Sequence, residues 1–153
     1  MKKLLGLMYI FFWLMLTSSI THANQAQVIN WLQHTLLQTL SVNYLSTPKD
    51  FETFHQQNYT NDAWESITGF LGNYMSIVRA NKLTLHPQLN GSATLLESGV
   101  IQNNHFFDGI TYWRIRQSIV IPELAKQIDF SIVVIQEPSA NHYLIQSMDM
   151  LIL

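Results

Sequence analysis

The chain has 153 residues, with eight Lys and Arg, ten Asp and Glu and no cysteine, so disulfides and thiolate metal sites are excluded. Charged residues make up 12% of the chain and apolar ones 48%, and the weakly negative balance argues against a nucleic-acid surface. Neutral polar groups must therefore cover much of the exterior, which suits protein contacts better than long-range charge steering.

Lys2 and Lys3 precede Leu4 to Leu16, a run without a charge or strongly polar side chain. Thr17-Ser18-Ser19-Ile20-Thr21-His22-Ala23 follows, ending on a small residue with Thr21 two before it. That order of basic, apolar and small-residue segments is the pattern of a secretory signal peptide cleaved after Ala23. The apolar run is too short to span a membrane as a helix: at about 1.5 Å per residue it reaches about 20 Å of a roughly 30 Å hydrocarbon core. Residues 24–153 then form one domain, long enough for one hydrophobic core and too short for two ordinary ones. Six cations against ten acids give this part a net charge of −4. An exported domain without any disulfide points to a bacterial periplasm, and a retained inner-membrane anchor is the alternative to cleavage.

Val28, Trp31, Leu32, Thr35, Leu36 and Leu40 recur at three- and four-residue steps, which predicts a first helix from Gln25 to Val42. Ser46-Thr47-Pro48 ends it, and a loop or short second helix carries Phe51 and Phe54. Asp62 caps the next helix, with Glu65 reaching back, and the stripe Trp64, Ile67, Leu71, Tyr74, Met75 and Val78 carries it to Ala80. Gly69 and Gly72 lie inside that helix and read as sites of close helix packing, because no strand and glycine-rich turn precede them to make a phosphate loop.

From Lys82 the period changes to two. Leu83 and Leu85 alternate, Pro87 interrupts, and Ala93 to Ile101 resumes, giving one broken strand or two in succession. After a turn at His105-Phe106-Phe107-Asp108-Gly109, Thr111 to Ile121 alternates, with Trp113, Ile115, Ile119 and Ile121 inward and Arg114, Arg116 and Ser118 outward. Ile128, Phe130, Ile132 and Val134 mark the next strand. Gln136-Glu137-Pro138-Ser139-Ala140-Asn141 turns the chain, and Tyr143 to Leu153 supplies the last strand. Helices first and a sheet with short connections afterwards predict an α+β fold, the N-terminal helices packed on one face of an antiparallel sheet of about four strands.

Candidate chemistry is sparse. The histidines have no metal-ligand spacing, no nucleophile-elbow pattern occurs, and the carboxylates are dispersed over turns, caps and exposed strand positions. The reading is therefore no catalytic residue, no metal and no cofactor. Trp31, Trp64 and Trp113 fall on apolar stripes of three elements and are read as core packing. Arg114 and Arg116 face solvent and are the candidates for binding a protein partner's carboxylates; cross-strand ion pairing is the alternative.

A series of short segments resembles the DotI/IcmL family of type IVB secretion and conjugation systems. It runs through Trp31, Asn58-Tyr59-Thr60-Asn61-Asp62-Ala63-Trp64 and Ala80-Asn81-Lys82-Leu83, then Ser98-Gly99-Val100-Ile101, Tyr112-Trp113-Arg114-Ile115 and Ile145-Gln146-Ser147. Ala63 stands where the family commonly has glycine. The resemblance implies a nuclear-transport-factor-2-like fold with a curved sheet. It also implies a non-enzymatic, virulence- or conjugation-related role in which the protein contacts secretion-system or envelope subunits, with self-association left open. A small-molecule binder or enzyme with a cone-shaped fold, and a secreted effector, are the alternatives.

Overall fold

The computed structural model describes residues 24–102, 108–136 and 142–153. The expected signal peptide, residues 1–23, and most of the turns expected at 105–109 and 136–141 lie outside those residues. A first helix, α1, covers 24–40, and its stripe of Val28, Leu32, Leu36 and Leu40 is fully buried. The helix stops two residues before the predicted Val42 because that residue's carbonyl is taken by the Leu85 amide at 2.8 Å. The Tyr44 amide bonds the Leu83 carbonyl at 3.0 Å in the same small ladder. The alternation of Leu83 and Leu85 thus belongs to this clasp, and the first long strand begins only at Gln88.

A single 3-10 turn, Pro48–Phe51, leads into the short helix α2, Glu52–Asn58, and then into α3, Asn61–Ala80. Thr60, not Asp62, caps α3: its Oγ1 accepts from the Ala63 amide while donating to the Gln146 carbonyl at 2.8 Å. The position is decided by that second bond, which a cap two residues later would not reach. The C-terminus closes with Lys82 in the left-handed region at φ 51°, its Leu83 neighbour bonding the Val78 carbonyl. Gly69 and Gly72 are not sites of close packing: a methyl group added at either meets no atom within 4 Å.

Four antiparallel strands follow in sequence order: β1 Gln88–Val100, β2 Thr111–Ile121, β3 Lys126–Gln136 and β4 Tyr143–Ile152. The inward residues of β2 and β3, such as Ile115, Ile119, Ile128, Phe130 and Ile132, are buried and join the apolar stripes of α1 and α3 in one core. A bulge at Gln146 changes the inward register of β4 from Tyr143 and Ile145 to Met148. That bulge supplies the carbonyl that Thr60 uses, and the Thr60 amide bonds the Ile145 carbonyl at 2.9 Å. The helix layer is therefore pinned to β4. Edge strand β1 has no buried residue at all. The molecule is α+β, with three helices laid on an open four-stranded antiparallel sheet. Among the described residues, no helix is long and apolar enough to cross a membrane.

Candidate functional site

Period-two alternation leaves the far side of the sheet without a helical cover, and strand register arranges its polar residues in rows. One row runs Thr94, Arg116, Ser131, Asp149 across all four strands; the next runs Glu97, Arg114, Val133, Ser147. A third places Asn90, Ser118, Asp129 and Leu151 side by side. Each arginine thus shares its row with a carboxylate on an edge strand.

The two arginines are held differently. Arg114 Nη1 lies 3.8 Å from Glu97 Oε2, a loose pair with both side chains about half exposed, and such pairs contribute little to stability. Glu97 also accepts a 2.7 Å bond from the Tyr112 hydroxyl, and this bond raises the phenol above the ordinary tyrosine value. The Tyr112 ring lies over Gly99, where an added methyl group would approach within 3.2 Å. This aromatic cover over an edge-strand glycine orders the β1–β2 end of the face.

Arg116 is exposed and makes no ion pair within 4.0 Å among the described residues, although it shares a row with Asp149 and neighbours the row of Asp129. Asp129 Oδ1 accepts from Ser118 Oγ at 2.6 Å and from Gln127 Nε2 at 3.1 Å. Those two bonds, joined by the charge of Arg116, hold its carboxyl below the usual aspartate value. A concavity of about 420 Å³ is lined here by Arg116, Asp129, Ser131, Asp149 and Leu151. The result is a wet checkerboard of fixed charges with apolar Val133 and Leu151 between them, able to read a partner's charge pattern.

The tryptophans separate into two groups. Trp31 and buried Trp113 both contact the Tyr143 ring, at centroid distances of 5.4 and 5.6 Å. Trp64 is half-buried on α3, stacked on His55 at 4.7 Å and edge-on to Tyr59 at 5.3 Å. Of the other described histidines, His34 and His142 are exposed, and His86 Nδ1 lies 2.7 Å from Glu123 Oε1. No three His, Asp or Glu side chains among the described residues are grouped to hold a metal.

Gln117 escapes a reading by residue type. It sits among the inward positions of β2, is 1% exposed, and accepts a 2.7 Å bond from Gln33 on α1 through its Oε1. Its Nε2 donates to the Gly91 carbonyl at 3.3 Å, where pairing jumps from Asn90–Ser118 to Thr94–Arg116. Its odd place in the series Trp113, Ile115, Ile119, Ile121 was the one available sign. Asp129, Asp149 and Glu97 were equally hidden, because only register sets them beside the arginines.

Neither a family model nor a curated protein matches the chain. Among solved structures, the chain is similar to the periplasmic domain of DotI, with a TM-score of 0.62 and 15% identity over 80% of this chain and 91% of that one. It is also similar to an IcmL-like type IV secretion system protein from Legionella pneumophila, with a TM-score of 0.52 and 12% identity over 84% of this chain and 92% of that one. The helices-then-sheet order is therefore the fold of these two proteins.

Proposed function

We propose that this chain, sharing its fold with DotI's periplasmic domain, acts in a type IV secretion apparatus by binding other proteins rather than by catalysis. The observation that carries the reading is that likeness, which runs through 80% of the chain. Residues 24–153 act in the periplasm after cleavage following Ala23. The docking surface is the open sheet face, with Arg114 and Arg116 meeting carboxylates on a secretion-system or envelope subunit. Two features support the choice of face: the helices occupy the opposite side, and Arg116 is not drawn into a close pair. Exposed charges of this kind set association rate and partner choice more than raw affinity.

Crosslinking in intact cells, followed by fractionation and recovery of a tagged copy, tests the reading. The expected result is recovery from the periplasmic fraction, beginning at Asn24, together with secretion-system or envelope subunits. The Arg114→Glu/Arg116→Glu variant is expected to fold normally and to lose at least about tenfold of that recovery, since each like-charge contact costs kcal/mol-scale energy. Recovery of the wild-type protein free of any such partner overturns the reading.

A further inference from the structure

On the opposite side of the molecule, a cleft of about 290 Å³ runs along α3 beneath the segment that follows α1. Its walls are Val42, Pro48 and Phe51 on one side and Trp64, Leu71 and Met75 on the other. Trp64, Thr68, Gly72, Met75 and Arg79 follow one another down α3, so the cleft tracks about 20 Å of helix at about 1.5 Å per residue. It is graded along that length. Trp64 marks one end and the guanidinium of Arg79 the other.

Three details say what such a cleft would accept. Arg79 makes no ion pair among the described residues; its Nη2 donates a long 3.4 Å bond to the Ser46 carbonyl. An anion at this end therefore meets an available cation.

The threonine hydroxyl protons in the walls are already committed. Thr68 Oγ1 donates to the Trp64 carbonyl at 2.9 Å, Thr47 Oγ1 donates to Asp50 at 2.9 Å, and Ser46 Oγ accepts from the Asn43 amide at 3.0 Å. A peptide backbone laid between these walls would find few free donors for its carbonyls, at a cost comparable to a lost hydrogen bond for each one left unmet. An alkyl chain has none to satisfy.

Gly72 lines the middle of the cleft, and a methyl group built on it meets nothing within 4 Å. A helix-interior glycine is unfavourable relative to alanine, and here the missing side chain leaves open a space that any larger residue would fill.

We propose that this cleft binds a single-chain anionic amphiphile of the fatty-acid class, its carboxylate on Arg79 and its alkyl chain lying past Gly72 and Met75 toward Trp64 and Phe51. The site is separate from the sheet face and does not rest on the secretion-system reading.

The test uses the protein expressed from its full reading frame and purified as the cell leaves it. Octanoate, decanoate and dodecanoate are titrated below their micellar concentrations by calorimetry, with the Trp64 indole followed by NMR. Affinity is expected to rise about tenfold for every two methylenes added, the hydrophobic increment for buried CH₂ groups. The Trp64 indole resonance is expected to shift while that of buried Trp113 stays in place. Arg79→Gln lowers the affinity for dodecanoate about tenfold with the chain-length slope intact, as for loss of one charge-assisted bond. Gly72→Leu abolishes binding while keeping the thermal midpoint, and Gly72→Ala weakens it. Dodecyltrimethylammonium, of equal length and opposite charge, binds at least about tenfold more weakly than dodecanoate. Equal binding of the cationic amphiphile, undiminished binding by Gly72→Leu, or preferential binding of an apolar peptide ending in glutamate each overturns the proposal. So does the absence of saturable dodecanoate binding.

Discussion

The bond between Thr39 and Tyr59 is where the first helix meets the segment that enters α3, and its removal has a calculable cost. Thr39 is fully buried and Tyr59 is 4% exposed, with their hydroxyl oxygens 2.6 Å apart. Thr39 Oγ1 donates to the Thr35 carbonyl at 2.8 Å, so its lone pair accepts from the Tyr59 hydroxyl. Thr39→Val keeps the shape and helix propensity but strands a buried phenol without an acceptor, a loss of about 1–3 kcal/mol. Tyr59→Phe leaves Thr39 still bonded to Thr35 and costs about 1 kcal/mol. With both changes no polar group is stranded, so the double variant is expected to lose about 1–2 kcal/mol less than the sum of the single losses. Urea denaturation followed by tryptophan fluorescence measures this directly, with thermal midpoints moving roughly 3–5 °C per kcal/mol for a domain of this size. Simple additivity of the two substitutions would refute the pairing.

Other consequences of the structure are as sharp. Burial holds the Tyr59 phenol far above the ordinary tyrosine range, outweighing the opposing effect of the Thr39 bond. The unfolded chain releases that proton near pH 10.0 while the folded one keeps it, so stability is complete below that value and falls as pH rises above it. Tyr59→Phe is expected to flatten the fall in alkaline denaturation curves. Asp129 moves the opposite way: its carboxyl is held below 3.8, so its contribution is present above that value and lost as pH drops through the folded one. Asp129→Asn is expected to lower stability near neutrality, where the carboxylate's bonds to Ser118 and Gln127 are fully present, and to converge on the wild-type protein in acid, in urea denaturation followed by circular dichroism across pH. Gln117→Leu removes a partner of both Gln33 and the Gly91 carbonyl; about 1–2 kcal/mol of stability should go with it. Faster amide exchange across residues 91–93 is the accompanying sign, because the strand jump there is what the Gln117 amide holds. Lys82→Gly relieves a left-handed backbone at φ 51° and should raise stability by about 1 kcal/mol in the same melts; a lower midpoint would contradict that account of the α3 terminus.

Secondary structure was largely legible in the sequence because periodicity is a local property. The spacing of Val28, Leu32, Leu36 and Leu40 makes one helical stripe, and the alternation from Trp113 to Ile121 puts Arg114 and Arg116 on the wet side, whatever the rest of the chain does. Helix class, strand class and the layer order followed from such patterns. What tertiary structure alone decided concerns partners distant along the chain. Thr60 displaces Asp62 as a cap because Gln146, 86 residues away, bulges out to meet it. Gln117 is acceptable in the core because Gln33, 84 residues away, reaches it. Register alone sets Asp149 in line with Arg116, since a slip of one residue would turn it to the other face. Gly72, read as a packing residue, borders open space because the segment after α1 is tied to residues 83–85 and spans the cleft without filling it. Hydrophobic period sets which side of each element is buried; hydrogen-bond partners and empty volume depend on how those elements meet, and no local pattern encodes that.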